Sequence, residues 1–329
     1  TFSLTAGTTA YTGTERDDTF NAVVSADSGS STLTESVSID GGNGTDTLNV
    51  DLASSFAGLN ESGAGIILEK LALRNTVADQ LDFSMQNFKG VHLVNVEGTA
   101  GVNLTNVTHA NNLEVNYKNV KTSETSITFN TELTGADDRL SIGLDSVGAA
   151  STLDVNGTTT VNVDGIDKVT LNLNNQNFVN ISSATLSEMT IGGTGSLETT
   201  LSNTLEVFNG AAARGNLTID ASNASSLKDF STGAGNDKVI LNVDNLAINT
   251  TINTGAGLDT LTLTGDAGQS VVYDINSVEK LVAQTGITMD LTGRSAALSD
   301  VEINFDSGAG TLTNADKFYL VGLGAKNLN

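Results

Sequence analysis

The nonapeptide at positions 41–49 reads Gly41-Gly42-Asn43-Gly44-Thr45-Asp46-Thr47-Leu48-Asn49. It matches the repeat G-G-x-G-x-D-x-U-x, where U is a large apolar residue, at every position. Glycines let the backbone adopt positive φ and turn its carbonyl groups toward one point. Asp46 adds a carboxylate there, and Leu48 begins a strand with one buried face. Because Ca²⁺ prefers carbonyl and carboxylate oxygens, the nonapeptide predicts a calcium-binding turn that leads into a β-strand.

Further copies of this turn occur along the chain. Two copies, at 232–240 and 254–262, lack only the first glycine, and their spacing suits successive coils of one solenoid. Two divergent copies with paired acids lie at 13–20 and 135–140, and 165–169 is a weak match. The segment 192–197 has the glycines without the aspartate and is interpreted as a structural turn. One Gly/Asp turn is weak evidence, because hairpins use the same residues, but three copies in one register are a strong indication.

The predicted ligands of Ca²⁺ are the aspartates and the turn glycines of these copies. They are Asp17, Asp18, Asp40, Gly42, Gly44, Asp46, Asp137, Asp138, Gly233, Gly235, Asp237, Gly255, Gly257 and Asp259. Since the copies are dispersed rather than tandem, each turn must recruit further ligands. Asp27, Glu35 and Asp40 are the candidates near the first turn.

Short runs of alternating apolar and polar residues separate the turns, as at 169–173, 239–243 and 301–305. Such runs are typical of strands with one buried face. A Leu/Val-Glu motif also recurs, for example at 68–71 and 278–281. We predict an all-β fold with little helix: a β-solenoid or parallel β-helix, β-roll-like, with calcium-binding Gly/Asp turns. A β-sandwich is the alternative. Short helices are possible at 51–58 and 78–88.

The composition excludes some classes of partner and favours others. The chain has 38 acidic and 15 basic residues, for a net charge of −23. This charge argues against nucleic acid and anionic lipid as partners and favours cations. The chain contains no Pro, which suits an array of central strands, and no Cys. No apolar run approaches the ~20 residues that a membrane-spanning helix needs, so no membrane insertion is expected. The chain begins at Thr1 without Met, and we expect a fragment or a processed piece.

The order of motifs in roughly the first 75 residues resembles the start of the lattice-forming region of RTX-type bacterial surface-layer (S-layer) proteins. The resemblance rests on 2–7, 11–22, 40–48 and 68–71. It implies type I secretion, a location on the bacterial cell surface and calcium-dependent self-assembly into a two-dimensional lattice. It also implies attachment to lipopolysaccharide through a region outside this chain.

Three segments are predicted within the solenoid. Residues 1–52 hold the N-terminal calcium-binding turns and the start of the solenoid. Residues 53–231 form its middle part, and residues 232–329 form a C-terminal part with RTX-like turns.

Two other classes of protein compete with the surface-layer interpretation. A secreted RTX-type adhesin would share the calcium turns and differ in its partner. A β-helix polysaccharide lyase or epimerase would need a base, an acid and a charge-neutralising group on one face. The two histidines, His92 and His109, are expected to be surface or packing residues. We therefore predict a structural protein rather than an enzyme.

Overall fold

The computed structural model describes residues 1–60, 65–130, 137–150, 159–246, 250–265, 270–271, 274–283, 288–290, 300–304, 311–313 and 319–321. The chain divides into two compact units. Unit 1 comprises Thr1–Ala150, Thr158–Thr170 and Ile181–Ala184, and unit 2 comprises Ser151–Gly157, Leu171–Asn180 and Thr185–Asn329. This division does not test the three predicted segments, 1–52, 53–231 and 232–329, which stay a prediction.

Unit 1 is built from short strands joined by polar turns. They are β1 (Phe2–Ser3), β2 (Ala10–Thr12), β3 (Thr19–Val24), β4 (Ser38–Asp40), β5 (Thr47–Leu52), β6 (Ile66–Ile67), β7 (Lys70–Asn75), β8 (Leu81–Ser84), β9 (Phe88–Lys89), β10 (Leu93–Glu97), β11 (Val102–Val107), β12 (Glu114–Lys118), β13 (Glu124–Phe129), β14 (Arg139–Asp145) and β15 (Thr159–Asn162). Their hydrogen-bonded orders are β1-β3-β5-β7-β10-β12-β14, β8-β11-β13-β15 and β2-β4-β6-β9. Strands β16 (Lys168–Asn174) and β17 (Gln176–Ser182) contain residues of both units.

Unit 2 repeats this construction. Its strands are β18 (Glu188–Gly193), β19 (Ser196–Thr200), β20 (Val207–Ala213), β21 (Leu217–Ala221), β22 (Asp229–Ser231), β23 (Lys238–Asn242), β24 (Thr251–Asn253), β25 (Thr260–Thr264), β26 (Ser270–Val271), β27 (Asp274–Asn276), β28 (Lys280–Ala283), β29 (Thr288–Asp290), β30 (Asp300–Asn304), β31 (Thr311–Thr313) and β32 (Tyr319–Val321). Their orders are β18-β20-β22-β24-β27, β19-β21-β23-β25-β28-β30-β32 and β26-β29-β31.

The strands pair in parallel with the equivalent strand of the next coil, so that equivalent residues stack. In unit 1 one inward column consists of Phe20, Leu48, Leu71, Val94, Val115 and Ile142, each at most 1% exposed. Burial of a large apolar side chain of this kind stabilises the fold by about 1.5–3 kcal/mol. The core is therefore a stack of thin apolar layers, and it follows directly from the alternation in the sequence.

The predicted all-β parallel solenoid with little helix is confirmed. Within the described residues the one helical element is a 3₁₀ turn, Ser28–Ser30, so the helices expected at 51–58 and 78–88 are wrong. The second of these segments instead holds β8 and β9. Leu81, Phe83 and Phe88 are buried there, because their spacing fills the apolar layers. The β-sandwich alternative fails, since the described strand pairs are parallel.

Candidate metal centre

The acidic turn residues lie at equivalent positions of consecutive coils. Asp18, Asp46 and Glu69 each immediately precede a strand, β3, β5 and β7 respectively. Thr19 pairs with Thr47, and Thr47 pairs with Lys70. Because this register aligns the strand starts, the three acids that precede them stack one above another.

Asp46 and Glu69 each accept a hydrogen bond from the main chain of the coil before them. Asp46 Oδ1 accepts the backbone N–H of Asp18 at 2.8 Å, and Glu69 Oε2 accepts the N–H of Asp46 at 2.8 Å. We call Asp18, Asp46 and Glu69 the N-terminal carboxylate ladder.

A second stack in unit 2 has the same order of residue types. Asp237 Oδ1 accepts the N–H of Leu217 at 2.7 Å, and Asp259 Oδ1 accepts the N–H of Asp237 at 2.8 Å. Glu279 Oε2 then accepts the N–H of Asp259 at 2.8 Å. We call Asp237, Asp259 and Glu279 the C-terminal carboxylate ladder. The Asp-Asp-Glu order in both units shows that the motif copies form one kind of turn.

A side chain one position earlier in these turns accepts a hydrogen bond in the opposite direction, from the following coil. In unit 1, Asp17 Oδ1 accepts the N–H of Thr45 at 2.8 Å. In unit 2, Asn216 Oδ1 accepts the N–H of Asn236, and Asn236 Oδ1 accepts the N–H of Leu258, both at 2.9 Å. Two side-chain hydrogen bonds therefore join neighbouring turns, one with its acceptor on the earlier coil and one with its acceptor on the later coil.

Three of the four ladder aspartates keep one buried oxygen that has no hydrogen-bond partner. Asp46 and Asp237 are 1% exposed and Asp259 is 0% exposed, and the Oδ2 atom of each has no hydrogen-bond partner. The hydroxyls of Thr232 and Thr254 lie close enough to Asp237 and Asp259 to offset a part of the rise that burial causes in their pKa values. They donate instead to Thr254 O and Ser277 O, so they do not satisfy the Oδ2 atoms. A buried carboxylate oxygen without a partner costs about 1–3 kcal/mol or more, because it has lost its hydration.

This environment changes the protonation of the ladders. Burial raises the pKa of Asp46 and of Asp237, and it raises the pKa of Asp259 to about 6. The charges of neighbouring ladder acids, Glu69 for Asp46 and Asp237 for Asp259, raise these pKa values further. Burial and like charge therefore favour a bound proton or cation at each of these carboxylates.

Asp18, at the start of the N-terminal ladder, behaves differently. Its Oδ2 accepts hydrogen bonds from Thr14 Oγ1 and Thr14 N, both at 2.7 Å. The contact with the Thr14 hydroxyl, and to a smaller extent the contact with its backbone N–H, hold the pKa of Asp18 below its usual value. Asp18 is thus an ionised, hydrogen-bonded end of the ladder.

Glycine is required at close contacts both within a turn and between neighbouring turns. A methyl group on Gly41 would overlap Asp46 Oδ2, and one on Gly257 would overlap Gly235 O of the coil before. Gly42 and Gly44 adopt φ of 89° and 117°, which side chains disfavour. The motif glycines therefore leave room for main-chain and carboxylate oxygens to lie close together.

The middle copy of the motif differs from the other two. Asp137 forms ion pairs with Lys168 at 2.8 Å and Arg139 at 2.9 Å, and these contacts lower its pKa. Asp138 Oδ2 is buried without a hydrogen-bond partner, and Asp138 N donates to Asp167 Oδ2 at 3.1 Å. The weak match at 165–169 thus provides a ladder contact, whereas Gly135 of this copy lies outside the described residues.

The other candidates near the first turn lie apart from its ladder. Exposed Asp40 accepts the N–H of Gly42 at 3.2 Å. Asp27 caps the 3₁₀ turn, and Glu35 lines a separate open cleft of about 480 Å³. The residues brought together with Asp46 are instead Asp18 and Glu69.

Sequence reasoning missed the closing role of Glu69 and Glu279. The recurring Leu/Val-Glu-Lys-Leu pattern was the available signal, since both glutamates occupy it. It also missed Thr232 and Thr254, which replace the first motif glycine. Their hydroxyls donate to Thr254 O and Ser277 O of the following coils.

The residues fit a hard cation of the calcium type, with a particular donor set. Within the described ranges, no three Asp, Glu, His or Cys side chains converge as a metal-binding group. A site here would therefore combine the unpartnered Oδ2 of Asp46, Asp237 or Asp259 with main-chain carbonyls of the glycine turns. That composition is the one the nonapeptide predicts.

The two histidines make local contacts. His92 Nδ1 lies 3.3 Å from Gly90 O, and His109 Nδ1 lies 2.9 Å from Thr108 Oγ1. Both side chains are exposed. Neither ring contact reaches a ladder carboxylate, although the backbone N–H of His92 donates to Glu69 O at 3.0 Å.

The fold and these turns define a parallel β-solenoid with stacked carboxylates at glycine-rich turns. The chain matches no protein-family model, no curated protein sequence and no solved structure. In the described part of the chain, no helix combines the length and apolarity that crossing a membrane requires.

Proposed function

We propose that this chain is a structural component of a bacterial surface layer, secreted to the cell surface, where calcium drives its assembly with copies of itself into a two-dimensional lattice. The observation that carries the proposal is the set of unpartnered, buried Oδ2 atoms on Asp46, Asp237 and Asp259. A parallel β-solenoid is a suitable rigid building block. Attachment to lipopolysaccharide would use a region outside this chain.

The ladders explain why folding and assembly would depend on the metal. Without a cation, the stacked acids must either take up protons or repel one another inside the turns. Bound calcium would supply positive charge at these oxygens. Because only the folded turns gather the ligands, the free energy of binding becomes free energy of folding. A cytosol with little calcium would keep the chain loose enough for export.

The test is electron microscopy of the purified chain, with circular dichroism, in calcium and then in chelator. We expect ordered sheets and a cooperative β-rich fold in calcium, and loss of the sheets with a lower melting temperature in chelator. Dispersed particles in calcium would instead favour the secreted adhesin. An unchanged fold and unchanged particle size in chelator would contradict the role of calcium.

A matched pair of variants separates the metal from general acidity. Asp259→Asn removes a ligand charge from the C-terminal ladder, whereas Asp79→Asn removes one exposed charge away from both ladders. Calcium stoichiometry from titration calorimetry should fall for Asp259→Asn and stay unchanged for Asp79→Asn. Equal stoichiometry in both variants would show that Asp259 holds no ion.

A further inference from the structure

One face of unit 1 carries an alternating line of charges. It is the outward face of the β3-β5-β7-β10-β12-β14 sheet, and its line contains Asp51, Arg74, Glu97, Lys118 and Asp145 on successive coils. Arg74 contacts Asp51 at 2.6 Å, and Lys118 contacts Glu97 at 3.3 Å. We call this surface the charge-alternating face.

The charges on this face project into solvent. The side chains of Arg74 and Lys118 are 60% and 54% exposed, and those of Asp51 and Glu97 are 43% and 49% exposed. Pairs exposed to this degree stabilise a fold by about 0–1 kcal/mol each, so alternation contributes little to folding beyond avoiding repulsion between neighbouring coils.

The face is also close to neutral in a chain with a net charge of −23. Beside the charged line runs an uncharged line, which contains Asn21, Asn49, Ala72, Asn95, Asn116 and Gly143. Its side-chain amides bond to one another, from Asn49 to Asn21 at 2.9 Å and from Asn116 to Asn95 at 3.0 Å. A second acidic copy can approach this face with less repulsion than it would meet at an acidic surface.

Alternation makes the face complementary to itself in one arrangement. Consider a second copy turned face to face about a two-fold axis parallel to the strands, midway between β7 and β10. Arg74 then opposes Glu97 of the second copy, and Asp51 opposes Lys118 of the second copy. An axis centred on a single coil would oppose like charges instead. The charged line therefore selects the register of the pair.

The neighbouring lines fit the same arrangement. Asn49 opposes Asn116 of the second copy, and Lys70 opposes Leu93 of the second copy. All six coils of the face overlap, because β3 then lies opposite β14. No two like charges of these lines meet.

We propose that the charge-alternating face binds the same face of a second copy of this chain about this two-fold axis. The proposal rests on the self-assembly proposed above and names one of its contacts. Six strands about 4.8 Å apart and about 17–20 Å long give a patch of roughly 400–500 Å² per copy. This is below the ~800 Å² of a typical stable partner surface, so the pair is weak alone and effective when repeated in an array.

The test is charge reversal with complementation. Arg74→Glu places two glutamates opposite each other, and Glu97→Arg places two arginines opposite each other. Each variant alone should weaken self-association at least about tenfold in sedimentation velocity with calcium. An equimolar mixture of the two variants should restore association, because every opposed pair then has opposite charge. Lys89→Glu changes an exposed residue on β9 of another sheet and should leave association unchanged.

Glu97→Arg makes the chain less acidic, so a general charge effect would strengthen association, and loss of association isolates the proposed contact. Circular dichroism of each variant checks folding. The proposed contact is wrong if either single variant still associates or if the mixture does not restore association. It is also wrong if the unaltered chain does not associate. Calcium-dependent sheets that persist in both variants overturn the face and leave the surface-layer function standing. Absence of sheets from the unaltered chain counts against the function itself.

Discussion

At the scale of single residues, Asp46 has two separable roles. Its Oδ1 accepts the N–H of Asp18, which is a structural contact, while its Oδ2 is buried without a partner. The first role needs an oxygen at that position, and the second needs a negative charge. Asparagine keeps the oxygen and removes the charge, whereas alanine removes both.

We expect Asp46→Asn to unfold in chelator at a temperature no lower than the unaltered chain, because it removes a buried charge. Asp46→Ala should be destabilised by about 1–3 kcal/mol, because it leaves the Asp18 N–H without its acceptor. Both variants should lose the stabilisation that calcium gives at this turn. Thermal unfolding with and without calcium measures all three. A full calcium-dependent gain in Asp46→Asn would place the ion elsewhere.

The pKa of Asp259 gives a second prediction at this scale. Burial raises this pKa from 3.8 to about 6, so between about pH 4 and pH 6 the folded state binds more protons than the unfolded state. In chelator, the contribution of Asp259 to the free energy of unfolding therefore falls as the pH rises through this window, by at most about 3 kcal/mol.

Comparison with Asp259→Asn isolates this contribution, because the amide does not titrate. In chelator, the stability of the variant relative to the unaltered chain should increase from about pH 4 to about pH 7. Calcium should reverse this trend, since protons then compete with the metal for the carboxylate. Parallel pH profiles for the two proteins in chelator would show that Asp259 keeps an ordinary pKa.

At the scale of the turns, the sequence predicted what is local and missed what joins coils. The nonapeptide placed Asp46, Gly42 and Gly44 in one turn, since the motif is contiguous. It could not show that Glu69 follows Asp46 in space, because that contact depends on the register between β5 and β7. For the same reason, Asp27 and Glu35 were predicted as further ligands because they are close to the turn in sequence, whereas Glu69 is the residue that contacts Asp46.

The glycines of the turns supply a third prediction. Gly41→Ala places a methyl group where Asp46 Oδ2 lies, so it should weaken calcium binding and destabilise the turn. Gly65→Ala is the control, because its methyl group would meet nothing closer than Asn87 O at 3.9 Å. Calcium titration and thermal unfolding of the two variants should differ clearly. Equal calcium affinity in both would mean that the ion is not held beside Gly41.

At the scale of the whole molecule, the solenoid was predictable because its information is repeated. Alternating apolar residues and glycine-rich turns recur with every coil, so each coil supports the same interpretation. The two short helices were predicted wrongly, because segments such as 81–88 are too short to show a period that excludes strands. The 22-residue spacing of the copies at 232–240 and 254–262 indicated pairing between those two coils, whereas the register of the other coils had no comparable signal.

A fourth prediction concerns salt. Because the charges of the charge-alternating face are exposed, salt should screen the contact between two copies, and about 0.5 M NaCl shortens the screening length to a few ångströms. We expect self-association to fall with added NaCl while the melting temperature in calcium changes little. Light scattering and thermal unfolding on one sample series measure both. Association that strengthens with salt would indicate an apolar contact instead.

The stacked glycines of unit 2 impose a rule on how such a chain can change. Gly195, Gly215, Gly235 and Gly257 recur at nearly constant separation, and a methyl group on each of the last three would overlap the carbonyl of the glycine before it. Insertion of one residue would turn every inward side chain of a strand outward. Removal of about twenty residues would instead bring one glycine into the place of the next. Insertions and deletions in this protein are therefore best tolerated when they add or remove a whole coil.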